Sequence, residues 1–390
     1  MTDTAKDTAM TPRQFTLDIP DTAIADLKTR LGLTRFPDAA PGEPWAFGSS
    51  VDYVRELVGY WKDGFDWRAQ EAALNAFPQF KVPLHDIDLH YLHVPGKGPK
   101  PYPLLLLHGW PGSVYEFLDI IPRLTDPGKF GGDPNDAFTV IAPSLPGYGL
   151  SFKPGQKRFI LQDMAACVHD LMTKVLGFEK YAVQGGDWGG GIASIIGQKY
   201  TASVCGIHVN LLFAPRDPTA KGTTPEEDRY FEILRNWLRE ETGYQAIQGT
   251  KPQTLAFALT DSPAGLAAWI AEKFRSWSDC DGVAENAISR DRMLANISFY
   301  WFTGAIGSSF WPYYGRIHSE WPISPKQPVT APTGYAAFPK EMIVPARSVA
   351  EKTYTNIQRW TVMKKGGHFA AMEQPEALAE EVRAFFRPLR

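Results

Sequence analysis

Val183-Gln184-Gly185-Gly186-Asp187-Trp188-Gly189-Gly190-Gly191 is the stretch on which the reading of this chain turns. An apolar run, Tyr181-Ala182-Val183, leads into it. The frame Gly-x-Asp-x-Gly fits a sharp turn from a strand into a helix, with the central side chain presented at its tip. Small residues flank that position because the turn presses backbones together and imposes strained dihedrals. A carboxylate at the tip can attack an electrophilic carbon and form an ester. It cannot form the acyl-enzyme of a serine esterase. Asp187 therefore directs the expected chemistry towards epoxides or alkyl halides.

Working outward, apolar runs alternate with helical patterns. Ile87–Val94 alternates and is closed by Pro95-Gly96. Leu104–Leu107, Phe138–Ala142 and Cys205–Val209 are continuous apolar runs, as expected of strands covered on both faces. Met164–Leu176 has helical spacing. The alternation predicts a mostly parallel α/β sheet flanked by helices. Residues 16–80 read as helix and loop, with Tyr53, Leu57, Val58 and Trp61 on one stripe. The rhythm breaks after Pro215. Thr224-Pro225-Glu226-Glu227 predicts a capped helix, with Glu227 completing a capping box and Gly243 ending the helix. A second helix is expected from Ser262-Pro263. Strand character returns at Gly334–Phe338 and Arg359–Met363, and Glu376–Phe386 reads as a final helix. The organisation expected is an N-terminal segment (1–100), a core in two parts (101–215 and 326–390) and a helical cap (216–325).

The 390 residues suffice for a large core, and a net charge of -3 gives no support to nucleic-acid binding. Cys167, Cys205 and Cys280 are too few and too scattered for a disulfide framework or a zinc site, and read as buried free thiols. Met1–Phe15 is polar, so neither a secretory signal nor a membrane anchor is expected, and a soluble cytoplasmic protein is the default. The 12 tryptophans suit a protein that lines an apolar pocket, although cores also use aromatics.

His108-Gly109-Trp110-Pro111-Gly112-Ser113 follows the Leu104–Leu107 strand. Alone it reads as a Gly-Pro turn. In the α/β-hydrolase arrangement such a loop gives one backbone N–H to an oxyanion hole, here from Trp110, and the residue after the nucleophile, Trp188, gives the other. His368 stands in Lys364-Lys365-Gly366-Gly367-His368-Phe369, just after a strand, where its imidazole can act as a base. His90 and His93 fall on an alternating strand and read as structural. Glu341, at the end of the Gly334–Phe338 strand, is the expected carboxylate partner of His368. Glu351 is a weaker candidate, and Glu373 follows the histidine too closely. Ser113 and Ser144 lie in no nucleophile elbow.

Together with Thr260–Ala268, Pro332-Thr333-Gly334-Tyr335 and Gly366–Ala371, these motifs resemble epoxide hydrolases of the microsomal type over nearly the whole chain. The resemblance implies an α/β-hydrolase fold with an inserted helical lid and an N-terminal segment packing on core and lid. It implies Asp187 as nucleophile, His368 as general base and Glu341 as its acid, with no metal or cofactor. It also implies two lid tyrosines that bind the epoxide oxygen. They match Tyr244 in Thr242-Gly243-Tyr244-Gln245 and Tyr313 in Trp311-Pro312-Tyr313-Tyr314, where adjacent Tyr314 leaves a one-residue ambiguity. The expected partners are an epoxide and water. The oligomeric state stays open, with a homodimer as one candidate. The membrane helix of mammalian members has no counterpart in this sequence. Two other readings stand beside this one: a haloalkane dehalogenase using the same aspartate, and a catalytically silent small-molecule binding protein.

Overall fold

The computed structural model describes residues 10–390, so the first nine residues of the polar Met1–Phe15 stretch lie outside the described residues. Nine strands form one sheet: β1 (Arg13–Phe15), β2 (Gln79–Leu84), β3 (Ile87–Val94), β4 (Tyr102–Leu107), β5 (Phe138–Pro143), β6 (Tyr181–Gly185), β7 (Val204–Val209), β8 (Thr333–Ala337) and β9 (Ile357–Val362). Their order is β1-β2-β3-β5-β4-β6-β7-β8-β9. β1, β2, β3 and β5 pair antiparallel at one end, and the pairs from β5 through β4 and β6 to β9 are parallel. The α/β-hydrolase fold expected from the sequence is present.

The apolar runs explain the central strands. Leu104, Leu105, Leu106 and Leu107 of β4 are fully buried, as are Val140, Ile141 and Ala142 of β5 and Ala182 and Val183 of β6. Such strands need cover on both faces, which crossover helices supply. From β4 the chain steps to β5 on one side and then to β6 on the other. That reversal opens a crevice at the carboxyl ends of β4 and β6, the usual place for a ligand in an open α/β sheet.

The sequence reading missed β1 and β2. Three residues are too few for a period to register, and in Gln79-Phe80-Lys81-Val82-Pro83-Leu84 the lysine and proline blur the alternation. The expected Met164–Leu176 helix is an α-helix over Leu161–Asp170 that widens into a π turn over Leu171–Val175.

Between β7 and β8 the chain forms a helical layer over the crevice. Its first helix, Pro225–Glu240, is capped as expected by Thr224, whose Oγ1 accepts the Glu227 N–H at 3.3 Å. The reciprocal half of the capping box is absent. The Glu227 carboxylate instead accepts from Thr223 N and Oγ1 at 2.7 Å each and from Ser348 Oγ at 2.6 Å, tying this helix to the segment before β9. Gly243 does not end the helix; it opens the next one, Gly243–Thr250. Ser262 caps the helix Pro263–Trp277 by accepting the Gly265 N–H at 3.0 Å. The N-terminal helices bind this layer directly. Trp61 Nε1 donates to Ser298 Oγ at 2.9 Å, Tyr60 OH to Asp291 at 2.7 Å and Ser49 Oγ to Ala268 O at 2.7 Å.

Candidate active site

Asp187 is the first residue of the helix Asp187–Lys199 and adopts φ +47°. A non-glycine residue there is strained, and the surroundings must hold it. They do so by close packing. A Cβ on Gly189 would lie 2.1 Å from Leu107 O, so a glycine run that costs a free helix about 1 kcal/mol per residue lets this helix rest on β4. The helix N-terminus, with its unpaired amides, favours an anion at Asp187. The next amide belongs to Trp188.

The loop after β4 meets Asp187 from the other side. Trp110 N donates to Asp187 Oδ1 at 2.8 Å. His108 fixes the loop: its Nε2 accepts the Leu145 N–H at 3.1 Å, so Nδ1 carries the proton and donates to Gly109 O at 3.0 Å. Burial pushes the His108 pKa down to about 4, so the ring stays neutral.

His368 completes a line of three. Its Nδ1 lies 2.8 Å from Glu341 Oε1 and its Nε2 3.4 Å from Asp187 Oδ2. Its backbone N donates to Trp277 O at 2.8 Å, and the Trp277 ring meets the imidazole edge to face at 5.1 Å. Burial opposes a charge on the ring, but Glu341 and Asp187 outweigh it and raise the His368 pKa well above 6.5. Glu341 follows β8, and its side chain is fully buried. The rejected candidates sit elsewhere. Glu351 accepts from Arg347 at 2.8 Å, and Glu373 accepts the N–H groups of Gly367, Phe369 and Asp279, bracing the histidine loop from behind.

Tyr244 and Tyr313 form the roof. Their rings are 5.7 Å apart at 77°. Tyr244 stacks on Trp110 at 5.4 Å, and Tyr313 stands edge-on to Trp188 at 4.8 Å. Both line one cavity with Asp187. The Gln245 amide donates to Tyr244 OH at 2.8 Å, leaving the phenol proton free to point elsewhere. Burial raises both phenol pKa values, so both stay protonated donors. Tyr314 instead stacks on Trp311 and His318. His90 is buried against Ser144 and Gln79 at 2.9 and 3.0 Å, and Ser113 donates to Asn296 at 2.7 Å. Cys167 and Cys280 are buried free thiols, whereas Cys205 is half-buried.

Two features escaped the sequence reading. Glu116, just beyond the His108–Ser113 loop, shares a small cavity with Asp187 and His368. Burial raises its pKa to about 8, which favours the protonated acid below that pH. Gly112 makes room for it: a Cβ there would collide with Glu116 Oε1. Trp277, whose carbonyl and ring both hold His368, lies at the end of a helix with no local signal for that role.

The profile described as the epoxide hydrolase N terminus matches residues 12–117, and that of the alpha/beta hydrolase fold matches residues 102–253. Epoxide hydrolase 1 of Oryctolagus cuniculus is 37% identical over 405 aligned positions, covering 96% of this chain and 88% of that protein. The chain belongs to the epoxide hydrolases of the microsomal type. Among solved structures, the epoxide hydrolase of Aspergillus niger superposes with a TM-score of 0.86 at 30% identity, covering 97% of each chain. The juvenile hormone epoxide hydrolase of Bombyx mori does so at 0.84 and 30%, covering 98% of this chain and 95% of that one. An epoxide hydrolase acts on small-molecule epoxides and water, and these matches favour that activity over dehalogenation or silent binding. Among the described residues no helix is long and apolar enough to cross a membrane, and no cluster of metal-ligating side chains occurs.

Proposed function

We propose that this epoxide hydrolase works through Asp187, His368, Glu341, Tyr244 and Tyr313, with the Trp110 and Trp188 amides as oxyanion hole. The observation that carries the reading is the division of labour at one carboxylate. Asp187 Oδ1 is held by the Trp110 amide at 2.8 Å, and Oδ2 faces His368 at 3.4 Å. A substrate lying between Asp187 and the two phenols has its ring carbon before the carboxylate and its oxygen before the tyrosines.

Attack by an Asp187 oxygen on a ring carbon breaks the C–O bond, and a tyrosine proton passes to the departing oxygen. The product is a hydroxyalkyl ester of Asp187. Loss of the Asp187 charge removes one of the two carboxylates that hold His368 protonated. The imidazolium then gives up its proton, which restores the one the tyrosine lost to the departing oxygen; the neutral imidazole, oriented by Glu341, takes a proton from water, and the hydroxide formed attacks the ester carbonyl. The tetrahedral oxyanion forms where the Trp110 amide already sits and the Trp188 amide is free. Collapse releases a vicinal diol and restores Asp187.

The same reading divides the chain into an N-terminal segment (1–100), a core (101–215 and 326–390) and a cap (216–325). The hydrogen bonds from Trp61, Tyr60 and Ser49 to cap helices support a bracing role for the first segment. We place the enzyme in the cytoplasm as a soluble protein and take a homodimer as the assembly to test by light scattering. The mechanism is tested with His368→Gln. Incubated with an epoxide, the variant should gain the mass of one substrate molecule on the peptide containing Asp187. A variant that turns over at the wild-type rate, or gains mass elsewhere, refutes these assignments.

A further inference from the structure

Arg216 and Arg316 line the cavity that holds Asp187, Tyr244 and Tyr313. The same two arginines, with Phe213, also line a second cavity further out, bounded by Trp321 and Ile323. They therefore stand on the wall that the catalytic chamber shares with its neighbour. Both are part-buried, and among the described residues neither guanidinium has an acidic partner or a hydrogen bond to a side chain. Their neighbours are aromatic faces: Arg216 lies 5.6 Å from the Phe213 ring and 5.4 Å from that of Trp237, and Arg316 5.1 Å from that of Trp321.

Two other part-buried arginines do have acidic partners. Arg359 binds Glu381 at 2.6 Å and Arg292 binds Asp119 at 2.9 Å. Withdrawing two like charges from water without a counter-ion is unfavourable, and each worsens the position of the other. Burial, with Arg216 as the next cause, pushes the Arg316 pKa down to about 10, which still leaves it charged at neutral pH. The chamber's own anions do not balance the pair. Asp187 and Glu341 face His368, which they hold protonated, and burial favours the protonated acid of Glu116 below a pH of about 8. Against two carboxylates stand one imidazolium and two guanidiniums, a surplus of one positive charge. A guanidinium fork is built to grip a carboxylate or similar oxyanion, and inside a part-buried chamber such a contact is strong.

We propose that the preferred substrates of this enzyme are epoxides carrying an acidic group, whose carboxylate lies between Arg216 and Arg316 while the oxirane lies between Asp187 and the two tyrosines. The proposal rests on the placement of the oxirane given above and adds the substrate class. The contact is made equally in ground and transition states, so it acts mainly through KM.

The test compares para-oxiranylbenzoate with the isosteric para-oxiranylbenzamide, and an ω-epoxyalkanoate with its amide. The wild type should favour each acid in kcat/KM by on the order of tenfold or more, the usual reward of a charge-assisted contact. Arg216→Met and Arg316→Met should each lower that ratio. Equal kcat/KM for acid and amide in the wild type overturns the proposal. So does a loss that strikes both substrates by the same factor, which would make the arginines general electrostatic supports of ring opening. If the wild type opens none of the four epoxides, the placement of the oxirane falls. Calorimetric titration of the wild type with phenylacetate and phenylacetamide then decides the anion site by itself: tighter binding of the acid upholds it, and equal binding overturns it.

Discussion

His368 Nε2 stands 3.4 Å from Asp187 Oδ2, longer than the roughly 2.7–2.9 Å of a tight charged hydrogen bond. The pair is close enough to share a charge and loose enough for Asp187 to leave it as a nucleophile. With the ring pKa raised in the free enzyme, the proposed mechanism makes the imidazole an acid before alkylation and a base after it. Ester hydrolysis should therefore speed up with rising pH to a plateau, with an apparent pKa below that of His368 in the free enzyme. Single-turnover decay of the ester, set beside NMR titration of the imidazole, measures both; coincident values would contradict the switch. The stability linkage has the opposite sense. A pKa raised above 6.5 contributes stability that is complete below 6.5 and is lost as pH rises through the folded value.

Gly109 leaves no room beside Asp187. A Cβ at this position would lie 2.2 Å from Asp187 Oδ1. Gly109→Ala should push the carboxylate off the Trp110 amide and lower kcat/KM by about 100-fold, the scale of a displacement near 1 Å at a reacting group. Circular dichroism should stay native. Activity within a few-fold of wild type would show that Asp187 has more freedom than this packing implies.

Glu116 offers a pH signature of its own. Its pKa of about 8 in the folded protein exceeds the ordinary 4.5. The protonated acid thus favours the fold at low pH, and that contribution fades from about 4.5 until it is gone above about 8. Glu116→Gln keeps a neutral group of the same shape at every pH. The variant and the wild type should melt alike at pH 5, and the variant should melt higher at pH 9, by on the order of a few kcal/mol at most. Parallel melting curves across that range would mean that the carboxyl is not secluded.

The roof tyrosines should act together. Tyr244→Phe and Tyr313→Phe each remove one donor to the departing oxygen and leave the stacking on Trp110 and Trp188 in place. Each should slow ester formation by about 100-fold or more, with hydrolysis of preformed ester little changed. Tyr314→Phe, which alters a ring stacked on Trp311 and His318, should leave both steps near wild type. A Tyr313 variant as fast as wild type beside a slow Tyr314 variant would reverse the assignment.

How far the sequence could be read follows from what each signal is made of. The Gly-x-Asp-x-Gly elbow was legible because close packing of Gly189 on Leu107 and the positive φ of Asp187 leave only small neighbours possible. The central strands were legible because burial on both faces demands unbroken apolar runs. β1 and β2 were not: three residues of β1 are too few to show a period, lysine and proline blur the alternation in β2, and the pairing of β1 with β2 is decided by residues far apart in the chain. Gly243 misled because glycine signals the end of a helix only when it turns left-handed, and here it begins one. Glu341, which meets His368 at 2.8 Å, was legible from its place after β8. Glu116, Trp277 and the arginine pair had no local signature, since their meaning comes from residues far away in the chain that close on the same chamber.

The central claim is that Asp187 is the atom source for the first diol. One turnover with stoichiometric epoxide in oxygen-labelled water should give unlabelled diol and one labelled oxygen in the Asp187 peptide, because the incoming water attacks the ester carbonyl. Label in the diol of that first turnover, with none in Asp187, would mean that water attacks the epoxide directly and would contradict the account.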